Sequence, residues 1–186
     1  DNVQRVWQSV ENAIFAEDSI DPVTGKHLQD LIDLDSWVRK YLAEEIFANN
    51  DGGTISQYFY GSVDQTRMFA GPVWDYDISM GNAHGVHVDN PQAIFTGRAR
   101  TRSNISRSWF YGLLQHPQFR EEMLKVYVED CLPLLERMLQ EDLELYQAKI
   151  AQSSSMNAIR WAQPDALEET ERIQAFLEAR IAFLNR

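Results

Sequence analysis

The residues best suited to chemistry in this chain are three aspartates. Asp75 and Asp77 stand one residue apart in GPVWDYDISMGN, Gly71 to Asn82, in the company of Pro, Trp, Tyr, Ile and Met, and Asp51 lies in the turn-forming run NNDGG. Converging carboxylates repel, so such a cluster persists where a cation neutralises it. One or two carboxylates together with phosphate oxygens are what Mg²⁺ prefers. Two plainer readings stand beside this one. An Asp in a turn commonly bonds its own backbone, and a pair buried among aromatics can be balanced by an arginine as well as by a metal.

The elements around these residues decide whether they meet. Val3, Val6, Trp7, Val10, Ile14 and Phe15 recur at three- and four-residue spacing and predict an amphipathic helix. Asp21, Pro22 and Gly25 punctuate the loop that follows. A second helix, capped by Asp35 or Ser36, carries Trp37, Val38, Tyr41, Leu42, Ile46 and Phe47 and stops at Asn49–Gly53. Two short aromatic runs, about residues 55–61 and 66–73, predict a β-hairpin. A hairpin returns the chain to its starting end, which would bring Asp51, before the first strand, near Asp75 and Asp77, after the second.

From Met80 to about Arg102 no period is visible, and a long loop is expected. Ser103 or Asn104 can cap a helix through Trp109 and Leu113 that ends at His116-Pro117. A further helix holds Phe119, Met123, Val126 and Tyr127, with Pro133 expected to break it or to sit in the first turn of its successor. Ser153–Ser155 reads as another break, and a final helix starts near Pro164-Asp165. The expected class is α+β, mainly α: one domain over residues 1–186, a helical body with one small hairpin.

Composition narrows the partners. With 17 basic and 28 acidic residues the net charge is −11, which disfavours nucleic-acid backbone and anionic membrane as default partners. No run reaches the ~18 apolar residues of a membrane span. A single cysteine, Cys131, expected as a buried thiol, excludes an internal disulfide framework. Arg98, Arg100, Arg102 and Arg107 form a basic segment that suits phosphate or an ordinary solvated edge. His84 and His87 are expected to be surface residues, and the aromatics at 7, 37, 109 and 176 to lie in the core.

NNDGGTISQYFY followed by GPVWDYDISMGN resembles the signature of the spore coat protein H (CotH) kinase family: an Asp after an Asn-rich turn, an aromatic hairpin, then Gly-Pro-x-Trp-Asp-x-Asp. LIDLDSWVRKYLAEEIFANN and SRSWFYGLLQHPQF are also similar to that family. The resemblance implies a reduced kinase-like fold that transfers phosphate from ATP, with Mg²⁺ or Mn²⁺, to hydroxyls of secreted or spore-coat proteins. By position, Asp51 would orient the attacking hydroxyl and accept its proton, while Asp75, with Asp77, would hold the metal. It also implies an extracellular, cell-surface or spore-coat setting in a bacterium, with a coat or envelope protein as partner.

Two departures qualify that likeness. A second metal ligand, usually Asn, is expected five residues after the catalytic Asp, and that position is Ser56. A hydroxyl is a weaker ligand than an amide carbonyl, and Asn82, close behind the acidic pair, is a candidate to compensate. No glycine-rich strand pair with a phosphate-binding lysine is visible, so the chain is expected to be the helical C-terminal portion of a longer protein, inactive alone. The alternative is a non-catalytic structural or interaction module of the coat or envelope. Sugar transfer from a nucleotide sugar, which also uses Asp-x-Asp, fits poorly because one hairpin is no large sheet.

Overall fold

The computed structural model describes residues 2–52, 55–62, 64, 66–82, 89–98 and 108–186. Helix α1, Asn2–Phe15, forms where the apolar spacing predicts it and buries Val10, Ala13 and Ile14. Trp7 departs from its expected core position: it is 41% exposed, at the margin where α1 meets the hairpin, with its ring 4.9 Å from Trp109 and 5.7 Å from Phe59. In the loop after α1, buried Asp21 accepts Ser9 Oγ at 2.6 Å and Asn12 Nδ2 at 2.8 Å.

A single helical turn, α2 (Leu28–Leu31), is too short to leave a periodic signal. The central helix α3, Leu34–Ile46, begins earlier than expected because Asp33, not Asp35 or Ser36, is its cap. Asp33 is extended and accepts the Ser36 amide at 3.0 Å, and the Ser36 hydroxyl donates back to the Asp33 carbonyl. Trp37, Val38, Tyr41, Leu42 and Ile46 then face the main core with α1, α4 and α5.

The hairpin is present but shorter than expected: β1 is Phe59–Gly61 and β2 Met68–Ala70, antiparallel, with Tyr60 opposite Phe69. Ser56 at φ 53° precedes β1, and Gly71 at φ 134° with Pro72 follows β2, so neither strand extends past them. The ribbon is pinned to the start of α3. The Met68 carbonyl accepts both Trp37 Nε1 and the Asp33 amide, and the Ser36 hydroxyl accepts the Ala70 amide.

Helix α4, Trp109–Leu113, is capped by Ser108; the caps expected at Ser103 or Asn104 lie outside the described residues. Helix α5, Pro117–Val126, opens with Pro117 in its first turn, where a missing N–H is harmless. Beyond it Pro133 makes no break. A π-helical stretch, Tyr127–Cys131, leads into α6 (Leu132–Arg137), a second π stretch, Met138–Asp142, leads into α7 (Leu143–Trp161), and the joints keep right-handed helical backbone. Pro133 is the second residue of α6, in the first turn of the successor helix that was one of its two expected places and that tolerates a proline.

Ser153–Ser155 does not interrupt α7 either, since Ser153 and Ser155 donate to the carbonyls of Ile150 and Ala151 within the helix. Ala162, at φ 51°, ends the rod. Helix α8, Ala166–Leu184, is capped by Asp165 and returns along α7, burying Phe176, Leu177 and Arg180. Cys131 is only half-buried rather than enclosed, though burial still raises its thiol pKa. Among the described residues the architecture is mainly helical with one two-stranded ribbon, the expected α+β class. No described helix is long and apolar enough to cross a membrane.

Candidate functional site

The site candidates lie where four segments come together: the turn after α3, the approach to β1, the stretch after β2, and the loop 91–98. Helix α3 ends at Phe47, and Ala48 at φ 50° turns the chain into Asn49-Asn50-Asp51-Gly52, all four buried. The Asp51 amide donates to Asn49 Oδ1 at 3.2 Å, and the Gly52 amide to the Asn49 carbonyl at 2.9 Å. Gly52 has no room for a side chain. A Cβ there would press on Thr96 Oγ1 and lie 2.9 Å from the Asn49 carbonyl oxygen.

Asp75 and Asp77 are exposed, not buried among their aromatic neighbours as their sequence company suggested. Gly71 and Pro72 swing the chain away from the core, Trp74 stays 57% exposed, and Asp75 itself takes left-handed backbone at φ 64°. The side chains that do meet are Ser56 and Asp75: Ser56 Oγ donates to Asp75 Oδ2 at 3.1 Å across nineteen residues of sequence. Both are non-glycine residues at positive φ, a cost typically maintained where the surroundings require it. Asn82 turns inward on its own loop and donates to the Asp77 carbonyl at 2.7 Å.

The hairpin therefore joins the position of Ser56 to that of Asp75, and Asp51 lies in the buried turn that precedes β1. Among the described residues no three His, Cys, Asp or Glu side chains gather in an arrangement that could hold a metal. The donors at hand, two exposed carboxylates and a hydroxyl, are hard oxygen ligands and suit Mg²⁺ or Mn²⁺ in kind. His84, His87, Arg100, Arg102 and Arg107 lie outside the described residues, and Arg98 donates from Nε to the Phe95 carbonyl.

Beneath these loops is a polar layer that the sequence reading missed. Lys40 and Glu44 form a buried ion pair of 2.7 Å, and Glu44 also accepts Asn49 Nδ2 at 2.6 Å and Gln57 Nε2 at 3.3 Å. The Tyr76 hydroxyl is buried toward the same carboxylate without a hydrogen bond of good geometry; burial first, then the Glu44 charge, raises its pKa. A signal existed: Lys40 and Glu44 lie three and seven residues after Trp37, on its inward face. An i,i+4 Lys–Glu pair on a helix is more often read as solvated.

A second buried pair holds the loop 91–98. Glu45 accepts the amides of Phe95, Thr96 and Gly97 at 2.8–3.0 Å and meets Arg180 of α8 at 2.6 Å. Helix α8 also secures the turn after Asp77, with Arg172 Nη1 donating to the Met80 carbonyl at 2.6 Å and Phe176 packed 3.1 Å from where a Gly81 Cβ would stand.

The two acidic motifs, their hairpin and the helices around them are thus one continuous unit, and the family description CotH kinase protein matches it across residues 1–184. The chain belongs to the CotH kinase family. It is a kinase-like protein on that ground, and family membership covers the helical body as well as the motifs. No curated protein and no solved structure gives a match to this chain.

Proposed function

We propose that this CotH-family protein serves phosphoryl transfer from ATP to a hydroxyl of a protein, with Asp51 as the group that receives the hydroxyl proton and Asp75, with Asp77, as the holder of Mg²⁺ or Mn²⁺. The observation that carries the reading is the Ser56–Asp75 contact. The position five residues after Asp51 and the first carboxylate of Asp-x-Asp face one another, as two ligand positions of one ion would. When bound, the ion supplies charge neutralisation on the β- and γ-phosphates. The chain's own residues orient the acceptor and take its proton: the acceptor O–P bond forms as the bond between the γ-phosphorus and its bridging oxygen breaks, ADP leaves, and the proton passes to an Asp51 carboxylate oxygen. Family likeness adds the setting, a bacterial surface or spore coat with a coat or envelope protein as acceptor.

A second reading is favoured by the same contact. Ser56 offers a hydroxyl where an amide carbonyl is expected, and it spends its proton on Asp75, which fits a structural module that has kept the fold without the chemistry. Labelled ATP with Mg²⁺ or Mn²⁺ and the intact protein separates the two. Under the first reading phosphate appears on the protein or an acceptor, and Asp51→Asn and Asp75→Asn each lower transfer by about 100-fold or more. No transfer refutes it and leaves the module; transfer undiminished in both variants refutes the roles given to Asp51 and Asp75 and the module reading as well.

A further inference from the structure

Glu44 lies under both acidic motifs and is bonded to residues that flank Asp51 and Ser56. Fully buried in α3, it receives Asn49 Nδ2 on one carboxylate oxygen and Lys40 Nζ and Gln57 Nε2 on the other. Asn49 in turn accepts the Asp51 amide, and Gln57 adjoins Ser56. A Gly52 Cβ would stand 3.1 Å from the same carboxylate. From the other motif, Tyr76, between Asp75 and Asp77, buries its hydroxyl toward Glu44, and the partner cation Lys40 lies 3.5 Å from the Pro72 carbonyl at the head of that segment.

An ion pair this deep is a poor device for stability alone. Withdrawing both charges from water costs about as much as their attraction returns, and apolar replacement of both partners is often neutral or stabilising. What the pair offers instead is a directional anchor with several acceptor positions.

We propose that Glu44, neutralised by Lys40, is a positioning residue that registers the Asn49–Gly52 turn and the Pro72–Asp77 segment against each other; this rests on the phosphoryl-transfer reading of those motifs. Loss of the anchor frees both turns without unfolding the helical body. A displacement of about 1 Å in such a site costs on the order of 100-fold in rate.

The test uses Lys40→Met/Glu44→Leu in the intact protein, with amide exchange by NMR, thermal melting and ATP-dependent labelling measured together. The expected result is a melting temperature at or above wild type, at least ten-fold faster exchange at Asp51, Ile55, Met80 and Asn82, unchanged exchange in α1 and α8, and kcat lowered about 10- to 100-fold. Asn49→Ser, which cuts only the turn's own link, should speed exchange at Asp51 and Ile55 and lower kcat while leaving Met80, Asn82 and the metal concentration for half-maximal rate unchanged. Should the double variant fail to fold, these Asn49→Ser measurements decide the matter alone. Exchange and kcat both within two-fold of wild type in the deciding variant overturn the proposal, as does loosening spread evenly over the whole chain. If Asp51→Asn and Asp75→Asn leave transfer undiminished, the phosphoryl-transfer reading is what fails; the exchange measurements, which need no turnover, then judge the anchor by themselves.

Discussion

Arg180 is fully buried, and its removal should be the most damaging single change on α8. Nη2 meets Glu45 Oε1 and the Glu45 carbonyl at 2.6 Å, Nε reaches that carbonyl at 3.2 Å, and Nη1 donates to the carbonyls of Pro91 and Ala93. The rings of Phe95 and Phe183 lie 5.4 and 5.5 Å from the guanidinium. Burial pulls the arginine's pKa down and the Glu45 charge opposes it. Arg180→Met keeps much of the volume but leaves Glu45 buried with an uncompensated charge and takes their donor from the carbonyls of Pro91 and Ala93. Breaking such a pair costs roughly 3–5 kcal/mol. The three backbone amides on Glu45 moderate the loss, so the lower end, about 3 kcal/mol, is expected. That corresponds to about 100-fold in the folding constant, and to roughly 6–12 °C in Tm for a chain of this size. Urea unfolding of wild type, Arg180→Met, Glu45→Gln and the double variant gives both the loss and the coupling. A loss below about 1 kcal/mol in Arg180→Met, or additive effects in the double variant, would refute the clamp as the fastening of the loop 91–97.

Other outcomes follow from the same contacts. Gly52→Ala must push its Cβ into Thr96 Oγ1 and the Asn49 carbonyl, an overpacking cost of about 1–3 kcal/mol readable by thermal melting, and an unchanged Tm contradicts the close approach. Burial pushes the Asp21 carboxyl up, but the hydrogen bonds from Ser9, Thr24, Asn12 and the Val23 amide together hold it well below its ordinary 3.8. A depressed folded-state pKa gives stability that is present above the ordinary value and lost as pH falls through it. The Tm gap between wild type and Asp21→Asn should therefore narrow as pH drops from 5 toward 2, and a constant gap refutes the assignment. Cys131, its pKa raised by burial and then by Asp130, should react with a thiol reagent at pH 7.5 more slowly than a small free thiol does; equal rates would contradict that environment.

Where the sequence was legible, one local signal matched one local element. Helix α1 announced itself by spacing alone, α8 by Pro164-Asp165 at its start, and His116-Pro117 marked the end of the helix before α5. The misreadings share a cause: a local preference overridden by what the neighbours supplied. Three serines read as a break, yet in α7 the hydroxyls of Ser153 and Ser155 fold back on the helix's own carbonyls. The strands stopped short because Ser56 and Gly71 take left-handed backbone, a choice dictated by what their loops must reach.

The candidate site divides along the same line. Asp51, Asp75 and Asp77 could be picked out because acidic spacing and turn residues leave a mark in one dimension, Ser56 and Asn82 entered through the family resemblance, and the hairpin predicted that its ends would approach. Their surroundings were harder to pick out: Glu45 and Arg180 are charges ordinarily assigned to solvent, and Lys40 and Glu44, though on the inward face of α3, have the i,i+4 spacing of a solvated pair. Lys40 and Glu44 are buried as a pair within α3, whereas Arg180 finds Glu45 135 residues away and Glu44 also collects Asn49 and Gln57 from loops whose paths no helix pattern specifies. The exposed carboxylates carry the chemical likeness, while the buried charges beneath them bond the turns and loops around those carboxylates. A relative that kept every aspartate and replaced Glu44 and Arg180 by apolar residues would retain the motif without the geometry, so motif presence alone is an insufficient criterion for activity in this fold.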